Sequence, residues 1–294
     1  AYEWRHGIHV PPYYRVYYLF VLFFSGFSPD PDGLGPSSAL VLSLFVVFRY
    51  VITINILQLV INQYRAIDPK TEYLICASVA FFTIIAMPLP WQDFGTSSIY
   101  LGSVLNNPYH NPTQTVSTPF AIVTFILYVS YLATKRSDLV WQVCLFSLLC
   151  AFAKPSFITI FLPLTLMHAF LSEINGGEDR KNHLLFVMSS LLPLFFFYAL
   201  TYAGANQDQH GIEIGWFEMQ RARSWPYAAL IIHMSFWFFP LYLASIDNPM
   251  SNILSTNSII LALFAIAQSS LLHETGPRFL NANMEWSAKV AWAL

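Results

Sequence analysis

Charge is what this sequence has least of. Asp, Glu, Lys and Arg make up 10% of its 294 residues, where a soluble domain carries roughly 25%. A globule of this size needs far more ionisable surface, which excludes a water-soluble enzyme. There is no basic excess either. The formal net charge is −2, so nothing draws the chain to nucleic acid. Cysteine is limited to Cys76, Cys144 and Cys150, all inside apolar runs, which gives neither a disulfide framework nor a metal-ligand spacing. Walker, Rossmann, HExxH and GxSxG patterns and paired haem-type histidines are missing, so no cofactor and no metal is expected. No repeat of fixed period and no low-complexity tract occurs.

What is present is apolar. Hydrophobic residues reach 56% and aromatics 17%, with 26 Phe, 16 Tyr and 8 Trp. So much apolar area would not stay wet, which excludes disorder. The runs predict an all-α, polytopic transmembrane bundle of about nine or ten spanning helices, some short or re-entrant, since a span takes about 20 apolar residues. They are Pro12–Phe27, Ser38–Ile61, Tyr73–Pro90, Pro119–Thr134, Leu139–Ala153, Ser156–Ser172, Leu184–Ala203, Tyr227–Ser245 and Leu254–Leu272, with a further helix starting near Asn283. They lack the period-2 alternation of barrel strands, so helices are the spanning form. One integral membrane domain covers 1–294. The chain starts at Ala1 without a signal-peptide pattern and stops inside an apolar segment, so a processed chain with an incomplete C-terminus is expected.

The loops sort by charge. Arg65 with Lys70, Lys135-Arg136 and Arg180-Lys181 fall on one side, while Ser28–Ser37, Trp91–Thr118, Gly204–Trp225 and His273–Trp286 contain no Lys. The positive-inside bias places the first set in the cytoplasm, which implies a multi-pass membrane protein. Alternation then puts the Lys154-Pro155 turn near the outer face. Its flanking helices are too short to span a core of roughly 30 Å comfortably, so the turn should lie below the surface, buried in protein or lining a wet cavity.

Three polar stretches share that outer face: Asn106–Thr113, Lys154-Pro155-Ser156 and His273–Arg278. Asn111-Pro112-Thr113 reads as a helix start, with Asn111 as cap and the helix N-terminus as an anion site. His110 beside it has an ordinary pKa of about 6.5 and suits proton transfer. Lys154 and Arg278 are cations suited to a phosphate or pyrophosphate, and Glu274 sits four residues before Arg278, where it can pair with it. Asp30 and Asp32, in Asp30-Pro31-Asp32-Gly33, form a turn, supply a general base or hold a divalent cation, and Asp93 is a further candidate base. Ile212–Trp225 reads as an interfacial amphipathic segment. His168 and His233 stand alone in apolar runs and are expected to bond between helices rather than hold a metal. Arg49 needs a partner within the bundle.

Asn107-Pro108-Tyr109-His110-Asn111-Pro112-Thr113, Lys154-Pro155-Ser156-Phe157 and Glu274-Thr275-Gly276-Pro277-Arg278 together resemble a family of uncharacterised bacterial polytopic membrane proteins, over about Leu101–Trp286. The short helices and outer polar loops are similar to those of GT-C-type membrane glycosyltransferases. That resemblance implies an enzyme acting on polyprenyl-phosphate-linked sugars at the outer leaflet, as a glycosyltransferase or polysaccharide polymerase. In that reading Asn111, Lys154, Glu274 and Arg278 bind substrate, and Asp30, Asp32, Asp93 or His110 acts as base. The short Ser28–Ser37 loop departs from the large first outer loop of such enzymes. The partners expected are membrane lipids, a lipid-linked sugar and other membrane subunits. The alternatives are a non-catalytic subunit of a membrane assembly and a transporter.

Overall fold

A computed structural model of the chain describes residues 15–28, 30–61, 68–85, 112–174, 179–202, 212–215 and 249–274. These residues are almost entirely helical. The helices are α1 (Arg15–Phe24), α2 (Pro31–Ile61), α3 (Pro69–Ile85), α4 (Pro112–Thr134), α5 (Asp138–Ala153), α6 (Ile158–Ile174), α7 (Arg180–Tyr202) and α8 (Pro249–Leu271). Two three-residue strands, β1 (Ile212–Ile214) and β2 (Leu272–Glu274), complete them.

The starts of α2 and α3 are set by an aspartate followed by proline. Asp30 Oδ1 accepts the Asp32 N–H at 3.2 Å, and the Asp30 carbonyl accepts from Gly33 and Leu34. Pro31 then occupies the first turn, where its missing N–H costs nothing. The segment expected as the loop Ser28–Ser37 is therefore mostly the first two turns of α2. Asp68 does the same for α3, accepting from the Thr71 N–H at 3.2 Å. α3 consequently begins four residues before the expected Tyr73. The apolar runs were too narrow a guide, because polar caps extend helices beyond their hydrophobic part. α2 and α4 are each long and apolar enough to cross a membrane.

α4 is the central element, packed against α5, α2, α8 and α1, while α6 packs on α7 and α8. Phe125, Tyr128 and Tyr131 on α4 meet Phe157, Phe161 and Phe186 in a fully buried aromatic core. Tyr128 stands edge-on to Phe161 at 5.1 Å and to Phe186 at 5.3 Å, and Phe157 stacks on Phe161 at 5.1 Å.

Among the described residues, large apolar side chains face outward as well as into the core. Trp141, Phe170 and Phe195 are each about 70% exposed, at 71%, 67% and 70%. Gln114, Thr118, Thr124, Ser147, Thr165, His183 and Ser190 are buried. Outward apolar side chains of this kind are surface that lipid or another protein can cover.

Two contacts fix which helix ends lie together. The Lys135 ammonium pairs with Asp179, joining the end of α4 to the start of α7. At the other end β1 runs antiparallel to β2, with Ile212 opposite Glu274 and Ile214 opposite Leu272. The ladder corrects the expectation that these segments are irregular loop, and that Ile212–Trp225 is an amphipathic interfacial segment from its first residue. Three residues of alternating polarity on each side were too short to stand out as strands.

Candidate functional site

Lys154 lies where α5 must stop. A residue before proline is pushed out of the helical region, and Lys154 has φ −168° and ψ 127°. Its N–H still closes the last turn onto the Cys150 carbonyl at 2.8 Å. Pro155, Ser156 and Phe157 form the turn, and Thr159 and Phe161 donate back to the Pro155 and Phe157 carbonyls to start α6. Phe157 is fully buried and anchors the turn. The Lys154 side chain is only 3% exposed. The expected buried turn is thus present, with a cation held inside it.

The opening turns of α4 lie in the same layer. Cys150 Sγ donates to the Ser117 carbonyl at 3.7 Å, holding the last turn of α5 against them. Thr113, Gln114, Thr115, Ser117 and Thr118 are all buried. This segment was expected as part of an outer loop up to Thr118, with a helix start at Asn111-Pro112-Thr113. The start is as expected, and the loop ends there. Ser117 Oγ and Thr118 Oγ1 donate to the Gln114 carbonyl at 3.1 and 2.8 Å. Among the described residues the buried Thr115 Oγ1 and Ser147 Oγ have no hydrogen-bond partner. A cation, a helix N-terminus and several hydroxyls therefore occupy one end of the α4–α5 pair, a composition suited to an oxyanion.

The other candidates divide in two. Asp30 and Asp32 are described and exposed. Asp30 caps α2, so the turn reading gives way to a helix cap. Glu274 is the last residue of β2, its backbone facing Ile212. Asp93, His110, Asn111, Arg278 and His233 lie outside the described residues. Among the described residues no three His, Cys, Asp or Glu side chains gather to hold a metal, and the three cysteines are free and buried.

A second polar cluster, at the Lys135 end, escaped the sequence reading in part. His168 Nε2 bonds Asn257 Oδ1 at 2.7 Å, tying α6 to α8 as expected for a lone membrane histidine. His183, not singled out from sequence, stacks on His168 at 6.0 Å, and Tyr128 lies edge-on to both rings. Among the described residues the buried Tyr128 hydroxyl and His183 Nδ1 have no hydrogen-bond partner. The available signal was a set of single polar residues (His168, His183, Asn257), each in or beside an apolar run.

Next to it, Tyr131 donates to Asp179 Oδ1 at 3.1 Å and accepts from Asn182 Nδ2 at 2.9 Å. Burial alone would raise the Asp179 pKa, but the Lys135 ammonium and the Tyr131 hydroxyl outweigh it and hold the carboxyl below its ordinary value. A depressed carboxylate stabilises the fold above its unfolded pKa of about 3.9 and loses that contribution as pH falls through the lower folded value. Thermal melts in detergent from pH 7 to pH 3 should therefore show a falling midpoint below about pH 4. Asp179→Asn should flatten part of that fall. An unchanged profile in Asp179→Asn would show that the pair contributes nothing.

No family model, curated protein or solved structure matches this chain.

Proposed function

We propose that this chain is a polytopic protein of a bacterial inner membrane that acts on polyprenyl-phosphate-linked sugars at the outer leaflet, as a GT-C-like glycosyltransferase or polymerase. The observation that carries the reading is Lys154, a cation 3% exposed at a helix break beside the polar opening turns of α4. An ionisable side chain at such depth is expensive and is by default functional. A phosphate there would draw on the ammonium, the helix N-terminus and the hydroxyls, and the same groups would stabilise the charge left on the departing phosphate.

The membrane part is supported by the outward apolar side chains, by two helices long and apolar enough to span, and by the helix ends. Lys135-Arg136 and Arg180-Lys181, expected on one side of the bilayer, are linked by the Lys135–Asp179 pair. The stretches around 212–214 and 272–274, expected on the other side, share a ladder. Strict alternation of crossings demands both.

The acceptor base is assigned to the set Asp30, Asp32, Asp93 and His110, and the second cation to Arg278, with Asn111 and Glu274 beside the substrate. The test is turnover. Full-length chain reconstituted in vesicles and supplied with polyprenyl-phosphate and polyprenyl-pyrophosphate sugars should release the lipid phosphate and transfer the sugar to an added glycan or hydroxyl acceptor. Inserted protein that neither turns over nor binds these lipids would overturn the catalytic reading.

A further inference from the structure

We propose that the outward face of α7 is a binding site for an anionic phospholipid, with Arg180 and Lys181 on the headgroup phosphate and an acyl chain along the apolar stripe beyond them. The inference rests on the membrane-embedded part of the reading above and is independent of the transfer chemistry.

A shallow groove of about 290 Å³ is lined by Arg180, Lys181, Leu184, Leu185 and Met188. These positions recur at spacings of four, so they form one face of the helix. The opposite face is filled: His183, Phe186 and Ser190 are buried in the core. Beyond the groove the outward stripe continues through Leu192 and Phe195, which are exposed. The surface therefore has a cationic head and an apolar tail about four turns long, the dimensions of one phospholipid.

Charge supplies the sign. Four cations stand at this end of α4, α5 and α7: Lys135, Arg136, Arg180 and Lys181. Lys135 pairs with Asp179, Arg136 with Asp138 and Arg180 with Glu173. Among the described residues Lys181 has no ion pair. The groove itself is lined by two cations, Arg180 and Lys181, and by no carboxylate, so the headgroup that fits it is an anion. The Arg180–Glu173 contact, at 3.1 Å between exposed side chains, is of the weak surface kind that a phosphate can outcompete. Position adds a second reason. Arg180 and Lys181 sit in the first turn of α7, at the positive end of the helix dipole, where cations are disfavoured and an anion is favoured. A two-fold dimer packed across this face would set like charges together, so a lipid is the occupant that fits.

Native mass spectrometry of the full chain, released from nanodiscs of mixed phosphatidylglycerol and phosphatidylcholine, reads the retained lipid directly. Wild type should keep phosphatidylglycerol preferentially. The Arg180→Gln/Lys181→Gln variant should lose that preference by about 30-fold, at about 1 kcal/mol for each cation. Lys70→Gln, an exposed cation on α3, should leave it unchanged. Millimolar inorganic phosphate should not displace the lipid; if it does so completely, the apolar stripe plays no part and the proposal fails. Protein that stays inserted but keeps both lipids equally, or whose double variant behaves as wild type, also overturns it. Protein that alkaline carbonate strips from vesicles overturns the membrane reading and this site with it.

Discussion

Lys154→Met should lower sugar transfer by about 10²–10³-fold, the usual cost of deleting one preorganised group from an oxyanion site. Methionine keeps the length of the side chain and its apolar stem, and removes only the ammonium. Phe157 anchors the turn and Pro155 enforces the break whatever side chain stands at 154. The thermal midpoint, measured beside turnover, reports whether the ammonium also serves the scaffold. The two readouts separate the possible roles. A cation that is half of a structural ion pair would, on removal, strand its carboxylate and cost about 3–5 kcal/mol. Lost turnover with intact stability assigns Lys154 to the substrate. Lost stability assigns it to the scaffold, and unchanged turnover removes it from the site.

Phe161→Ala should be the most damaging single truncation in the core. Its ring is fully buried, stacked on Phe157 and edge-on to Tyr128, and a Phe-to-Ala change in such a place costs about 3–5 kcal/mol in a water-soluble protein. Lipid changes the composition of that cost. Apolar side chains gain little on moving from hydrocarbon into a protein interior, so lost packing contacts dominate and the lower part of that range applies. Phe195→Ala is the control. It removes the same atoms from a side chain 70% exposed and should change stability by less than about 0.5 kcal/mol. Titration of the reconstituted chain with denaturing detergent measures both. Equal effects from the two changes would contradict the assignment of α7's outer stripe to lipid.

The helical class and the rough position of each described helix were legible because apolar runs of this length have few other uses. Helix starts were less so, although the signal was present. Asp30-Pro31, Asp68-Pro69, Asn111-Pro112 and Asn248-Pro249 are all Asx-Pro pairs, and a helix begins at each of these prolines. Only the pair at Asn111 was read that way, since capping is a property of a few atoms and hydropathy averages over twenty residues. At the site, Lys154 was visible as a lone cation in an apolar stretch. The hydroxyls of Thr115, Ser117 and Thr118 were not, because short polar side chains look alike in a loop and in a polar helix turn. His183 was missed for a different reason. Its meaning comes from His168 and Tyr128, which are 15 and 55 positions away in the sequence, and no local pattern connects them.

The ladder between β1 and β2 restricts how α8 can move. β2 follows α8 without an intervening residue, and Gly215 donates to the Leu271 carbonyl at 2.9 Å across the junction. Any axial glide of α8 must carry β2 past β1. A helix can creep by its rise of about 1.5 Å per residue, but an antiparallel ladder regains its pairing only after two residues, about 6.8 Å. Nearer the opposite terminus the Asn257–His168 bond would break during such a glide. The helix therefore has no small sliding steps open to it: it either holds its setting or jumps by a full repeat, like a shaft with a keyed collar.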